Sequence, residues 1–264
     1  MTIVAEKFEA ELANRDIPYS IKDDGRYEIS VGDSKLAVSI DNIRRDFDRD
    51  GDLSAVSRFV DTVLDDLKFQ TPSWNDARNF VRFSLEPADY ATGFNDVVHN
   101  VINDELVQLY VLSSPDRKRI SWISPSHVSD WGITVHELKS QAESNMSQLV
   151  ENARLETKDI DGNLLGMIST ELTEFKSSLV LSPGFRKLVE TTHGWPVFAV
   201  LPCRDFAYVV RCDHQEFLGR LGGVVIDEYN KSGYPITKDV LKISDEGITA
   251  IGTFPDRQQS THNK

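Results

Sequence analysis

Residues 195–212, WPVFAVLPCRDFAYVVRC, contain two apolar runs separated by a short turn-like stretch. The runs WPVFAVL and FAYVVRC are rich in valine and aromatic residues, which favour β-strands. Pro202, Cys203, Arg204 and Asp205 lie between the runs and predict a turn. The stretch therefore predicts an antiparallel hairpin that is apolar enough to lie at the centre of a sheet.

Segments on both sides of the hairpin predict further helices and strands. In chain order they are a short buried segment at 177–181, a helix from Pro183-Gly184 to His193-Gly194, a helix begun by a capping box of Asp213 and Glu216 and ended by Ser232-Gly233, and one or two strands at 240–252. The buried segment follows a stretch that we interpret as a polar connection. The alternation indicates a sheet with helices against it.

The middle of the chain predicts strands followed by one clear helix. Strand-like runs occur at 79–85, 97–102, 106–112 and 119–123. Thr134 and Glu137 make a capping box for a helix over 134–150. Leu138, Ala142, Met146 and Leu149 form its apolar stripe.

The first 70 residues predict a smaller unit of the order α-β-β-α. Its predicted elements are a helix at 3–14, strands at 27–31 and 36–40 joined by a turn at Gly32-Asp33, and a helix at 53–69. Thr71-Pro72-Ser73 interrupts the helical pattern and is the predicted boundary. We thus expect an α+β protein: a unit over 1–70 packed on a larger, mainly antiparallel α+β domain over 76–252, then a polar flexible tail at 253–264.

Composition and sequence pattern disfavour several classes of ligand and location. The net charge of −13 disfavours nucleic acid and anionic lipid as direct ligands, because phosphate binding needs clustered Lys and Arg. The sequence has no secretory leader pattern and no apolar run that could span a membrane. Its two cysteines, Cys203 and Cys212, fit a reducing compartment, although a disulfide across the hairpin is an alternative. We expect a cytoplasmic protein without a cofactor.

Five segments resemble the YtpQ family, a bacterial domain of unknown function, and the likeness covers most of the chain. The segments are RNFVRFSLEP, ELKSQAESNMSQL, SSLVLSPGF, VFAVLPCRDF and YPITKDVLKI. The resemblance implies a related fold. It implies no activity, cofactor or catalytic residue, since none is established for that family.

Few residues are candidates for a site. Asp46, Asp48 and Asp50 occupy the first ligand positions of a calcium loop, but the twelfth position is Ser57 where a bidentate carboxylate is needed; a solvated acidic turn is the simpler interpretation. Asn145 lies beside the apolar stripe of its helix, so it either ties the helix to a neighbouring backbone or lines a cleft. His193 resembles a residue at a helix C-terminus.

The hairpin turn supplies the leading candidates for binding. We expect Arg204 and Asp205 at an exposed tip, as a turn-stabilising pair or as a recognition surface. Our first functional hypothesis is a non-enzymatic interaction module with an unidentified protein partner. The alternatives are a hydrolase or transferase that uses Cys203 or Ser178 with His193, and an acidic protein that binds a basic partner. The sequence gives no oligomeric state.

Overall fold

A computed structural model of the chain describes residues 2–23, 25–31, 34–67, 72–93, 96–115 and 119–255. Helices and antiparallel sheets account for most of these residues, so the predicted α+β class is confirmed. The chain divides into two units. The first comprises Met1–Thr71 and Asn230–Tyr234, and the second comprises Pro72–Tyr229 and Pro235–Lys264.

The first unit contains one small antiparallel sheet and helices around it. Its described elements are α1 (Ile3–Asn14), β1 (Tyr19–Ile21), β2 (Tyr27–Val31), β3 (Ser34–Val38), α2 (Asp41–Asp50) and α3 (Ser54–Leu67). The sheet has the order β1-β2-β3. Strand β1 was not predicted, because all of its short stretch is exposed and shows no apolar alternation. The predicted turn at Gly32-Asp33 lies outside the described residues, as do the end of the predicted helix at 53–69 and most of the predicted tail.

The segment Asn230–Tyr234 belongs to the first unit although it lies far along the chain. Arg49 Nη1 donates to the Lys231 carbonyl oxygen at 3.2 Å. A side chain at Gly233 would come within 3.3 Å of the Asp46 carboxylate. The first unit therefore includes residues from two distant parts of the sequence.

The acidic stretch is a helix and not a calcium loop. Asp46, Asp48 and Asp50 all lie in α2, where they are spaced along a helical surface and do not converge on one point. Gly51 ends the helix at a φ of 68°, the left-handed conformation typical of glycine at this position. Asp52 accepts a hydrogen bond from the Ser54 amide at 2.8 Å, as expected for a residue that caps the next helix.

The second unit contains two antiparallel sheets. The first comprises β4 (Val81–Pro87), β5 (His99–Val101), β6 (Leu106–Ser113) and β7 (Ile120–Trp122), with β4 and β5 on either side of β6 and β7 also paired with β6. The second comprises β8 (Arg154–Ile160), β9 (Asn163–Ser169), β10 (Val197–Cys203), β11 (Phe206–Arg211), β12 (Asp239–Ser244) and β13 (Gly247–Thr253). Its order is β13-β12-β10-β11-β9-β8. The predicted hairpin supplies β10 and β11, which lie at the centre.

The β8–β9 hairpin replaces the predicted polar connection, so that prediction is wrong. Asp161 and Gly162 form its turn with φ values of 54° and 82°, the combination that suits a tight hairpin. β8 carries charged residues at four of its seven positions and therefore lacks the apolar alternation typical of a strand. The Asp161-Gly162 pair was the feature of the sequence that could have predicted this hairpin.

The α-helices that follow α3 along the chain are α4 (Trp74–Ala77), α5 (Asp89–Gly93), α6 (Pro125–Asp130), α7 (Val135–Asn152), α8 (Phe185–His193), α9 (Gln215–Leu218) and α10 (Gly222–Lys231). The capping box of α7 is confirmed: the Glu137 amide donates to Thr134 Oγ1 at 3.2 Å, and the Thr134 amide donates to Glu137 Oε2 at 2.7 Å. The box predicted for Asp213 and Glu216 is wrong. Arg211 holds the Asp213 carboxylate at 2.7 Å, so that carboxylate is not a cap.

Cys203 and Cys212 are free thiols. Cys203 pairs with Phe206 at the turn, whereas Arg211, next to Cys212, pairs with Val197 at the other end of the hairpin. The alternative disulfide is therefore wrong, because the two sulfurs lie at opposite ends of the strands. Within the described ranges, no helix is both long enough and apolar enough to span a bilayer.

Candidate functional site

Three polar side chains of β4 lie on one face of an otherwise apolar strand. Arg82, Ser84 and Glu86 alternate with apolar residues, and successive side chains of a strand point to opposite faces. Ser84 and Glu86 are both buried, and Glu86 has no exposed surface. A carboxylate without access to water needs a charged or hydrogen-bonding partner. The partner of Glu86 therefore identifies the candidate site.

Arg204, from the turn between β10 and β11, is the partner of Glu86. Its Nε donates to Glu86 Oε1 at 2.7 Å, and its guanidinium carbon lies 5.5 Å from the centre of the Trp122 ring. The Ser84 hydroxyl donates a hydrogen bond to the same carboxylate oxygen. Glu86 and Arg204 form a buried ion pair, the Glu86–Arg204 pair, that joins the two sheets of the second unit.

The predicted exposure of Arg204 is wrong, because only 7% of the residue is accessible. Cys203 pairs directly with Phe206, so the turn consists of Arg204 and Asp205 alone. The two side chains take opposite directions: Arg204 enters the interior toward Glu86, and Asp205 stays exposed. A direct contact between a partner and the Arg204 guanidinium would require this pair to open.

Asp205 stabilises the turn through Cys203. Its Oδ1 accepts a hydrogen bond from the Cys203 thiol at 3.1 Å. The turn-stabilising interpretation of Asp205 fits this bond, although the donor is a sulfur atom and not the backbone. Cys203 is buried, and its thiol serves as a hydrogen-bond donor within the turn.

Two serines connect the hairpin turn to β4. The Ser177 hydroxyl lies 2.5 and 2.8 Å from the Cys203 and Phe206 carbonyl oxygens, which share its single proton, and its amide donates to the Arg204 carbonyl at 3.0 Å. The hydroxyl of Ser178 accepts a hydrogen bond from the Leu85 amide at 2.9 Å. Both serines are fully buried. They satisfy the backbone groups of a turn and of a strand edge that would otherwise lose their hydrogen bonds to water.

Asn145 ties α7 to the start of β4. Its Nδ2 donates to the carbonyl oxygens of Arg78 and Val81 at 2.8 and 2.7 Å, and its Oδ1 accepts from Gln141 Nε2 at 2.9 Å. All of these bonds are made within the chain. The geometry matches the first of the two sequence interpretations, in which the amide holds a neighbouring backbone segment.

His193 lies apart from these residues, at the end of α8. Its ring packs against Gly166 of β9, where a Cβ would come within 2.9 Å of the ring. Thr192 Oγ1 and His193 Nδ1 are 2.9 Å apart, and Nε2 is buried without a hydrogen-bond partner among the described residues. Burial, followed by the positive charge of Arg211, lowers the pKa of His193. The imidazole is therefore neutral at physiological pH.

The structure does not bring His193 to either candidate nucleophile. His193 contacts Gly166, which pairs with Val209, and Val209 pairs with Ala199. Ala199 precedes Cys203 by four residues in β10, which corresponds to about 13 Å along the strand. Ser178 bonds to β4 and not to the histidine. A hydrogen-bonded nucleophile and base is therefore not formed by these residues.

Sequence reasoning missed Glu86 and Ser84, which complete the site. The signal was present as alternating polar residues in the run from Val81 to Pro87. Such alternation normally indicates a strand with one face in water. Here the polar face is buried, because the Arg204 guanidinium supplies a partner that is remote in the sequence.

The five segments on which the family resemblance rests meet in this region. RNFVRFSLEP supplies β4, SSLVLSPGF supplies the two serines, and VFAVLPCRDF supplies the turn with Arg204. ELKSQAESNMSQL supplies Asn145. YPITKDVLKI reaches the same turn, since the Ile236 amide donates to the Pro202 carbonyl at 2.8 Å. The roles of these residues in binding a partner stay predictions.

No arrangement of three or more His, Cys, Asp or Glu side chains suited to a metal ion occurs in the part of the chain that the structure describes. Asp46, Asp48 and Asp50 are among the described residues, and they do not form such an arrangement either. The polar atoms around Glu86 and Arg204 bond mainly to one another and to backbone groups. What the arrangement does chemically is to fix the turn against β4.

Arg204→Met is expected to lower the free energy of unfolding by about 3–5 kcal/mol, because it leaves the Glu86 carboxylate buried without its cation. Urea unfolding measures the change. Arg211→Met, which breaks the exposed pair with Asp213, is the matched control and should leave the free energy of unfolding nearly unchanged. The double variant Glu86→Leu with Arg204→Met should recover most of the loss, since no buried charge remains. A loss for Arg204→Met equal to that of the control would contradict the assignment.

His193→Gln is expected to make the free energy of unfolding less dependent on pH below 6.5. Burial lowers the pKa of His193 in the folded chain from its ordinary value of 6.5, so at lower pH the unfolded chain binds a proton that the folded chain does not. The contribution of His193 to the free energy of unfolding is complete above pH 6.5, and it is lost as the pH falls toward the pKa of His193 in the folded chain. Urea unfolding from about pH 8 to about pH 5 tests this. The exposed His99→Gln is the control, and parallel curves for wild type and His193→Gln would refute the assignment.

Comparisons of the chain with protein-family models, with curated proteins and with solved structures find no match. The resemblance to the YtpQ family therefore stays a prediction from the sequence. The functional argument rests on the geometry of the chain itself.

Proposed function

We propose that this chain is a non-enzymatic protein-interaction module of the cytoplasm, that it is related to the YtpQ family, and that its partner is a basic protein. One observation carries the proposal: the candidate catalytic groups are engaged in holding the fold together. The Cys203 thiol donates to Asp205, and the Ser178 hydroxyl accepts from β4. Both groups are buried, and each takes part in a hydrogen bond within the fold.

The charge of the chain supports a basic partner. A net charge of −13 produces a field that attracts cationic proteins and accelerates their association. Several exposed acidic residues in the described ranges are paired within the chain, as Asp213 is with Arg211 and Asp161 with Arg220. The acidic residues outnumber the basic ones by 42 to 29, so pairing cannot neutralise them all.

Slow modification of Cys203 by a thiol reagent such as iodoacetamide is the expected behaviour of a structural cysteine. Burial and the bond to Asp205 should make the native protein react several-fold more slowly than the urea-unfolded protein. Cys212→Ser isolates the Cys203 reaction, and Cys203→Ser provides the control in which only the half-buried Cys212 reacts. Mass spectrometry of the alkylated chain gives both rates. Faster reaction of Cys203 in the native protein would favour the hydrolase or transferase alternative.

Capture of a basic partner is the expected result of crosslinking in the cells that produce this chain. The partner should be recovered with the tagged chain after a short crosslinking treatment, and the purified pair should bind again in a defined mixture. Binding should weaken as salt is raised, because the attraction between exposed charges is screened. A tagged chain that elutes at its own mass and carries no crosslinked protein would overturn the proposal.

A further inference from the structure

A polar cluster lies on a largely apolar face of the first sheet of the second unit. Asn100 of β5 pairs directly with Gln108 of β6, and Tyr110 lies two residues further along β6 on the same face. Lys139 of α7 completes the cluster, with its Nζ 5.8 Å from the centre of the Tyr110 ring. Gln108 and Tyr110 are 9% and 1% exposed, whereas Asn100 and Lys139 are half-buried. The cluster therefore extends from the interior to the surface.

Lys139 fixes the direction of the hydrogen bonds in this cluster. An ammonium group can only donate, so the oxygen of the Asn100 amide must face Lys139 and accept its hydrogen bond. The Asn100 nitrogen then donates to Gln108 Oε1 at 3.1 Å and to the Tyr110 hydroxyl oxygen at 2.9 Å. Both amide protons of Asn100 are thereby used.

The groups left over at Gln108, Tyr110 and Lys139 are all donors. Gln108 accepts through its oxygen, so its two Nε2 protons remain, and Tyr110 accepts a bond, so its own hydroxyl proton remains. Neither group has an acceptor among the residues that the structure describes. The β4 residues paired with them, Leu85 and Phe83, have apolar side chains. The Lys139 ammonium uses one of its three protons within the cluster.

Burial keeps the Tyr110 hydroxyl in its donating form. It raises the pKa of Tyr110 to about 12, so the hydroxyl is protonated at physiological pH. Buried donors without acceptors are unfavourable, because they have given up their hydrogen bonds to water. A group that accepts from Tyr110 and Gln108 and also carries a negative charge beside Lys139 would satisfy all three side chains.

We propose that Gln108, Tyr110 and Lys139 bind a carboxylate that carries a short aliphatic group. The two oxygens of a carboxylate accept several hydrogen bonds, and its charge complements the ammonium. Val135 lies one helical turn before Lys139 and is 42% exposed, so it offers an apolar surface on the same side of α7. This site goes beyond the proposed interaction function and does not depend on it.

Glu143 is the charged residue that opposes an anion at this site. It lies one turn after Lys139 on α7, is exposed, and its charge adds to the effect of burial on the pKa of Tyr110. Among the described residues, Lys139 donates to Asn100 and not to Glu143. Glu143→Gln removes the repulsion and should strengthen the binding of a carboxylate several-fold. The same substitution should leave the binding of a neutral ligand unchanged.

The direct test is a titration of the full chain with butyrate, followed by two-dimensional NMR of the nitrogen-15-labelled side-chain amides. We expect the Gln108 amide signal to shift saturably, with a Kd in the millimolar range. Sodium chloride at the same ionic strength should not reproduce the shift, and butyramide, which has the same shape without the charge, should bind much more weakly. No saturable shift with butyrate, or an equal affinity for butyramide, would overturn the proposal.

Variants of the donor groups locate the site. Lys139→Met should lower the affinity for butyrate by about tenfold or more, because it removes a charge-assisted hydrogen bond. Lys158→Met, which removes an exposed lysine of β8, is the matched control and should leave the affinity unchanged. Tyr110→Phe removes only the hydroxyl and should weaken binding several-fold. Thermal melts should show that the variants are folded, and wild-type affinity in both Lys139→Met and Tyr110→Phe would exclude the site.

Two sources can supply such a carboxylate, a free aliphatic acid or the last residue of a protein chain. N-acetylvaline mimics a chain terminus, and N-acetylvalinamide lacks its charge. Tighter binding of N-acetylvaline than of butyrate would assign the site to a chain terminus, and the reverse order would assign it to a free acid. Equal binding of N-acetylvaline and its amide would overturn the recognition of a carboxylate.

Discussion

Glu86 has no contact with water, and a carboxylate in such a position is stable in the fold only when a cation and hydrogen-bond donors surround it. Arg204 and Ser84 both bond to its Oε1, whereas Oε2 is buried without a hydrogen-bond partner among the described residues. The ion pair also constrains the backbone segments that carry the two side chains. Because Arg204 must face Glu86, the turn between β10 and β11 must lie against β4, and this fixes the position of the second sheet relative to the first.

Three other polar side chains stabilise the same contact between the hairpin turn and β4. Ser177 holds the backbone of the turn, Ser178 holds the backbone of β4, and Asn145 holds the start of that strand. Each uses a side chain to satisfy backbone groups that have no strand partner at that point. The segments that carry the family resemblance are therefore united by one task, which is the docking of a turn on a strand.

Local signals in the sequence predicted the elements that depend on local interactions. The β10–β11 hairpin follows from two apolar runs and their turn, and α7 follows from its capping box and stripe. The direction of Arg204 could not be predicted in this way, because it depends on Glu86, which lies 118 residues earlier. The β8 strand was missed for a related reason: an edge strand with charged residues looks like a loop until its partner is known. Asp46–Asp50 matched a loop motif by spacing alone, and helix formation overrode the match.

The assignment of Asn230–Tyr234 to the first unit has a consequence for synthesis on the ribosome. A nascent chain that has only just exposed its first 71 residues lacks the carbonyl of Lys231 that Arg49 binds. The first unit therefore reaches its full set of contacts only after most of the second unit has left the exit tunnel. The order in which the contacts of this unit form is in this respect not the order of translation, although its hydrophobic core lies within residues 4–63.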